Sequence, residues 1–298
     1  MDLRYIQTFI RVAELGSFTK AANELGFVQS AVTMQIQQLE KELGYPLFDR
    51  IGKRISLTAM GVEFVNYAYK ITKTMQEASN MGKNTKDIRG TLRVGVLESL
   101  LFGNMLQILP TFKDTYKNVD IHLKMGQASE LLQQLKKNQL DMVYLSAGLN
   151  TDPDLCCYYK RSEQLIFVSG PNHRITKQKI VHIRELLSCD FVVTEHSGVC
   201  YGRLQKLAQQ YNTVLHTSVE VDSTVAIAAL LQKNTALAFL PEYSVCKQLE
   251  EGSLYRVKVD IAPQIYYSQI LVHKNRWISP FMEKLIEEIR TEYPDCEY

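Results

Sequence analysis

The chain of 298 residues is long enough for about two domains, and its 46% apolar content can fill ordinary cores, which excludes a wholly disordered polypeptide. With 34 basic against 32 acidic side chains the formal charge is +2, which fits neither a polycation nor an acidic tail. The balance is uneven, because residues 1–90 hold 12 Lys and Arg against 9 Asp and Glu, a net of +3 that leaves −1 for the remainder.

From Leu3 to Leu15 the apolar residues Leu3, Ile6, Phe9, Ile10 and Ala13 fall on one helical face, and Gly16 supplies the stop. Ser17 is placed to cap a second helix, Phe18 to Leu25, whose Ala21-Ala22 pair lets another helix approach closely before Gly26 ends it. A third helix begins near Val28, turns Ala31, Val32, Ile36, Leu39 and Leu43 inward, and stops at Gly44. Past Pro46, Leu47 to Arg50 and Arg54 to Leu57 read as a short hairpin with a basic tip at Ile51-Gly52-Lys53. Three helices and a hairpin form an all-α winged helix-turn-helix pattern over residues 1–58.

Thr58 then caps a long linker helix that runs to about Asp87, with Val62, Val65, Ala68, Tyr69, Thr72, Met75 and Ser79 near heptad spacing. Small and polar residues interrupt that stripe, so packing against a partner chain explains it better than an isolated helix. Residues 59–90 are therefore a dimerisation helix and hinge, closing in a Lys, Asn and Thr-rich stretch from Gly82 to Gly90. Beyond Gly90, strands and helices alternate, with strands expected at 92–97, 119–125 and 142–145 and helices through Tyr116 and from Ser129 to Asn138. A second set follows: strands at 165–169, 191–194, 218–221 and 236–240, and helices at 201–211 and 225–232. Strand 265–272 and helix 280–292 close the chain. The expectation is a C-terminal α/β domain, 91–298, of two lobes, lobe I about 91–160 and 266–298, lobe II about 161–265.

No apolar run approaches the roughly 20 residues of a membrane-spanning helix, and Met1 to Arg4 lack the apolar core of a secretory signal. A cytoplasmic protein with no membrane partner is expected. The six cysteines, Cys156, Cys157, Cys189, Cys200, Cys246 and Cys296, show no C-x-x-C pair and no zinc-like spacing, so free thiols and no metal are expected. There is no P-loop, G-x-G-x-x-G, H-E-x-x-H or G-x-S-x-G, hence no cofactor, no catalytic residue and no enzyme.

In the third helix, Gln29, Ser30, Thr33, Met34 and Gln37 point away from the core face. Gln pairs bidentately with adenine and Thr serves as a hydroxyl partner or touches a thymine methyl, so this nearly uncharged face is fit to read bases. Arg50, Lys53 and Arg54 on the hairpin would supply the phosphate contacts.

In the α/β domain, ligands of a two-lobed cleft lie at strand C-termini and helix N-termini. The strand ends here carry Glu98-Ser99, Gly126 to Ser129, Ser146, and Thr194 followed by Glu195-His196-Ser197. Ser99, Gln127, Ser129, Ser146, Thr194, His196 and Ser197 are the candidate effector contacts, against the plainer reading that Ser and Thr only cap the following helices. The hydroxyls suit a small anion, but Glu98 and Glu195 keep a neutral, amphoteric or amine-bearing effector open. Cys200, near a helix start where the dipole lowers a thiol pKa, is a candidate redox sensor, against the plainer reading of a thiol that lines or supports the cleft.

The chain resembles the LysR-type bacterial transcriptional regulators. The resemblance is carried by Phe9, Gly16-Ser17-Phe18, Ala21-Ala22, Leu25, Gln29, Ala31-Val32-Thr33, Gln35-Ile36, Leu39-Glu40, Leu43-Gly44, Leu47-Phe48, Arg50, Leu57-Thr58 and Gly61. Thinner matches follow at Leu92 to Gly95, Leu140-Asp141, Pro171-Asn172-His173 and Leu240-Pro241. Three positions depart, since the family usually has Ser at Val28, Pro at Ser30 and Arg at Met34. The resemblance implies a periplasmic-binding-protein-like effector domain, with Ser99, Gln127 and Thr194 at positions that often contact effectors. Its implied partners are double-stranded operator DNA, a small-molecule effector, a second copy in a homodimer or homotetramer, and RNA polymerase. The competing readings are a metabolite-binding or enzymatic α/β protein whose N-terminal helices only dimerise, and a cysteine-based redox regulator.

Overall fold

A computed structural model describes residues 2–51, 54–80, 88–195, 198–233 and 236–294. The N-terminal unit comprises α1 (Leu3–Leu15), α2 (Phe18–Leu25), α3 (Gln29–Leu43), β1 (Phe48–Ile51), β2 (Arg54–Leu57) and the linker helix α4 (Ala59–Asn80). Its helix ends follow from local chemistry. Ser17 accepts the Lys20 N–H at 3.3 Å to start α2, and Gly16, at φ 57°, ends α1 in a left-handed conformation that an L side chain enters only at a cost. Val28 precedes α3 without any side-chain cap, as its lack of a polar atom dictates.

Ile6, Phe9, Phe18, Val32, Ile36, Leu39 and Phe64 form the core of this unit, with the Phe9 ring 5.4 Å from Phe48 and 5.1 Å from Phe64. The Glu40 carboxylate on α3 accepts the Leu47 and Phe48 N–H groups at 2.8 and 3.2 Å, so α3 holds the entry to the hairpin directly. Thr58 donates to Pro46 O at 2.8 Å and accepts the Gly61 N–H at 2.9 Å, which joins the hairpin's exit to the start of α4. A Cβ on Gly61 would collide with Leu47 O. The Lys, Asn and Thr-rich stretch expected after α4 falls largely on residues 81–87, outside the described residues.

The second unit runs β3 (Gly90–Val96), α5 (Glu98–Leu100), a π-helical turn Leu101–Met105, α6 (Leu106–Thr115), β4 (Val119–Met125), α7 (Ala128–Lys136), β5 (Met142–Ala147) and β6 (Leu155–Ser169). It continues through α8 (Ile183–Leu187), β7 (Asp190–Val193), α9 (Val199–Gln210), β8 (His216–Glu220), α10 (Thr224–Leu231), β9 (Leu237–Pro241), α11 (Cys246–Glu250), β10 (Tyr255–Val257), β11 (Gln264–His273) and α12 (Pro280–Glu292). All nine strands join one mixed sheet in the order β4-β3-β5-β11-β6-β9-β7-β8, with β10 paired to β6. Within it, β3 pairs in parallel with β4 and β5, and β7 with β8 and β9. Between these two parallel groups, β6 and β11 run antiparallel from Leu165↔Gln264 to Leu155↔His273. Two α/β lobes therefore share a pair of long strands.

The central strand β5 is buried on both faces, which is why it reads as a continuous apolar run. One face of its lobe packs Phe112, Tyr144, Leu285 and Ile289, and the other packs Leu131, Leu135, Val143 and Leu271. Asp141, only 2% exposed, anchors the start of β5. It accepts the Arg93 N–H at 2.7 Å and pairs with the Arg93 and Arg276 guanidinium groups.

Two expectations are corrected, and three short elements are added. The strand expected at 165–169 begins ten residues earlier at Leu155, because Cys156 to Tyr158 are exposed and break the apolar pattern. The helix expected to run unbroken to Tyr116 is divided by the π-helical turn, in which Asn104 donates to Tyr144 at 3.1 Å. The short α8, α11 and β10 lack a full period of apolar residues and had no sequence counterpart.

Candidate base-reading helix and interlobe cavity

On α3, Gln29, Ser30 and Gln37 are exposed, Met34 is 69% exposed, and Thr33 is half-buried. Two of these side chains are engaged internally. Thr33 Oγ1 donates to Gln29 O at 3.0 Å, and the Gln29 side-chain carbonyl accepts the Thr19 hydroxyl at 2.9 Å. The Gln29 amide oxygen is thus held from α2 while its NH2 end carries two donors. Beside it Phe27 and Val28, at 44% and 69% exposure, widen the apolar margin of the same surface. Arg50 lies in β1 and Arg54 in β2, paired respectively with Ile55 and Ile51. Their side chains, and Lys53 entirely, lie outside the described residues.

The lobes enclose a cavity of about 660 Å³ at the strand ends. Ser99 follows β3, Gln127 and Ser129 follow β4 at the start of α7, Ser146 ends β5, Thr194 follows β7, and Cys200 begins α9; all six line the cavity. His196 and Ser197 lie outside the described residues. Sequence reasoning did not select Asp222, Thr224, Tyr243 and Tyr266, which also line it. Asp222 and Thr224 sit at the start of α10, a position the strand-end rule covers, whereas the two tyrosines arrive from a 3₁₀ turn and from a strand interior, which no local signal marks.

Polar bridges cross between the lobes among the described residues. The Glu98 carboxylate accepts from Ser223 Oγ at 2.7 Å, from Thr224 N–H at 2.8 Å and from Thr224 Oγ1 at 3.3 Å. The Gln127 amide donates to the Glu195 carboxylate. Tyr243 places its hydroxyl 3.0 Å from Ser99 Oγ and 3.1 Å from Ser146 Oγ, so these two serines contact the opposite lobe instead of capping helices. Burial pushes the Tyr243 and Tyr266 phenols well up, so both are neutral hydroxyls.

Of the hydroxyls on residues lining the cavity, two more, Thr194 Oγ1 and Tyr266 OH, are buried without a well-formed hydrogen bond among the described residues. Gly198 keeps the space beside Thr194 open, since a Cβ there would press on Glu195 O and Thr194 Oγ1 at 3.1 and 3.3 Å. At Cys200 a helix start would lower the thiol and burial raises it. Burial dominates and pushes the thiol up to about 12.

Among the described residues no group of three His, Cys, Asp or Glu is set to hold a metal, and no helix is long and apolar enough to cross a membrane.

Residues 3–62 match the family described as bacterial regulatory helix-turn-helix protein, lysR family, and residues 85–294 match the LysR substrate binding domain. The chain is 34% identical over 255 residues to the HTH-type transcriptional regulator CzcR of Bacillus thuringiensis strain Al Hakam, covering 86% of this chain and 82% of that protein. It is 28% identical to the uncharacterized HTH-type transcriptional regulator YwqM of Bacillus subtilis over 97% of this chain and 99% of that one. Among solved structures, a full-length OxyR variant from Pseudomonas aeruginosa superposes with a TM-score of 0.72 at 17% identity, covering 97% of this chain and 95% of that chain. Full-length CbnR complexed with its target DNA gives 0.55 at 19% identity, covering 98% of this chain and all of that chain.

Proposed function

The chain belongs to the LysR family, as a helix-turn-helix transcriptional regulator with a substrate-binding domain, and from that premise we propose how its own residues divide the work. The α3 face of Gln29, Ser30, Thr33, Met34 and Gln37 enters the major groove of operator DNA, with the Gln29 NH2 donors and the Met34 thioether nearest the base edges. Arg50, Lys53 and Arg54 hold the phosphates, and the uncapped start of α3 adds amide donors there. The observation that carries this reading is the Glu40 anchor, which fixes hairpin and α3 as one body so that both meet the duplex together.

Along α4, Val62, Tyr67 and Met75 are exposed apolar side chains that suit a second copy of the chain, giving a homodimer or a pair of dimers. A dimer spaces two α3 helices by about 34 Å or a multiple, so the operator is an interrupted near-palindrome. The small-molecule effector sits in the interlobe cavity, touching Ser99, Gln127, Ser129, Ser146, Thr194, His196 and Ser197. Its binding shifts lobe closure, and RNA polymerase reads the result on DNA. The protein works in the cytoplasm, by binding and not by turnover. Neither alternative is favoured: the N-terminal helices build a matched DNA-binding unit, and the half-buried Cys200 thiol, its pKa pushed up, is poorly suited to redox sensing.

The test is fluorescence anisotropy of the full chain with duplex DNA from upstream of its own gene against random competitor at moderate ionic strength. Preferential binding is the expected result, and equal affinity for both duplexes overturns the reading.

A further inference from the structure

Resting on that reading of the interlobe cavity, we propose that its effector carries a protonated amine, received by Glu195 and Asp222 beside the orphan hydroxyls of Thr194 and Tyr266. The charge inventory of the cavity is one-sided. Glu98, Glu195 and Asp222 line it, and no Lys, Arg or His does so among the described residues. One helix start on the cavity, that of α10, is filled from within, because both Glu98 oxygens are spent on Ser223 and Thr224, while α7 and α9 begin there without a side-chain cap. A carboxylate ligand would share the cavity with three acids and no cationic side chain among the described residues, whereas a cation is drawn to those acids and leaves the Glu98 bridge intact.

The hydrogen-bonding inventory points the same way. Tyr266 is 1% exposed, and its hydroxyl lies near that of Tyr243, yet it makes no hydrogen bond of good geometry among the described residues. Thr194 Oγ1 is likewise buried and unmatched, beside the space that Gly198 keeps clear. Buried hydroxyls without partners are rare in native folds and mark places where a ligand completes the bonding. An ammonium has three donors and no acceptor, which suits lone pairs on a carboxylate and two hydroxyls. Leu97, Met125, Leu132 and Val199 line the rest of the cavity, so the carbon skeleton behind the amine is apolar.

The test uses the full chain and two probe pairs matched in carbon count, benzylamine with benzoate and putrescine with succinate, each at millimolar concentration in a thermal-melt assay. Benzylamine is expected to raise Tm by about 2–4 °C and benzoate not to, with the benzylamine shift lost in Glu195→Gln and reduced in Asp222→Asn. The proposal is overturned if either carboxylate stabilises as much as its amine, if neither amine stabilises, or if the amine shift survives in Glu195→Gln. A cavity-filling variant, Gln127→Trp, separates the choice of ligand from the choice of site. Carboxylate stabilisation that disappears in this variant leaves the cavity as the effector site and removes the amine. Stabilisation by any probe that persists in it places that binding outside the cavity and removes the site with it.

Discussion

The carboxylate of Glu98, the first residue of α5, receives the backbone N–H of Thr224, the first residue of α10, so one lobe caps a helix of the other. A charge-assisted bond to helix-start amides is among the stronger polar contacts available to a partly exposed side chain. Glu98→Ala is expected to cost about 1–3 kcal/mol, and Glu98→Gln less because it keeps an acceptor. Hydrogen exchange at the Thr224 and Val225 amides checks this, since it should accelerate in Glu98→Ala while the amides of β5 stay protected.

The N-terminal counterpart is Glu40. Glu40→Ala leaves the Leu47 and Phe48 amides without their carboxylate and is expected to cost about 1–3 kcal/mol. The larger effect should be on DNA, because the hairpin would lose its fixed angle to α3. Anisotropy with operator DNA should show weaker binding at a temperature where circular dichroism still reports a folded chain.

Gly61→Ala tests close packing at the same junction. Its methyl group would meet the Leu47 carbonyl, a backbone atom that cannot rotate away. Overpacking of about 1–3 kcal/mol is expected, read as a lowered melting temperature of the N-terminal unit.

On DNA, Gln29→Ala and Arg54→Ala should fail differently. The first is expected to relax preference at one base pair by about 1–3 kcal/mol, and the second to weaken all duplexes and reduce the salt slope by about one. Anisotropy over a salt series separates them; identical salt slopes in the two variants would contradict the proposed division between base and phosphate contacts.

Cys200 should be slow to alkylate. With its thiol near 12 against an ordinary value of 9.0, the thiolate fraction at neutral pH is about a thousandfold lower than for an unperturbed cysteine. Peptide mapping after timed iodoacetamide treatment is expected to find the exposed Cys156 labelled first, and peroxide to leave reporter output the same in wild type and Cys200→Ser.

A pH effect is expected from Glu14, whose carboxyl is raised above the ordinary 4.5 chiefly by burial, against the opposing pull of Arg11 and a hydrogen bond from Tyr69. The folded state therefore binds this proton more tightly than the unfolded chain. Its contribution is fully present below about 4.5 and is lost as pH rises through the folded value. Melting temperatures measured upward from pH 4.5 should lose that component of their slope in Glu14→Gln.

Much of this was legible in the residues. Gly16, Gly26 and Gly44 each adopt the left-handed backbone that a helix stop requires, at φ 57°, 70° and 81°, and such punctuation depends only on local sterics. Strand ends likewise led to Ser99, Gln127, Ser146 and Thr194, because the βα rhythm fixes where such ends gather. What stayed hidden was set by tertiary contact. Tyr243 meets Ser99 and Ser146 across 144 and 97 residues of sequence, and no window of sequence contains both sides of that contact. At Cys200 the helix start is visible in sequence, whereas the burial that raises its thiol is not.

The two lobes are joined by neighbouring strands, β6 and β11, hydrogen-bonded to each other along ten paired positions. Such a join behaves as a leaf spring and not as a door on pins: it bends by spreading a small twist over many bonds, and large angular opening would tear the ladder. Breathing of the cleft should then be shallow and quickly reversible, and a single proteolytic nick in either crossing would leave the halves still laced together by the other strand.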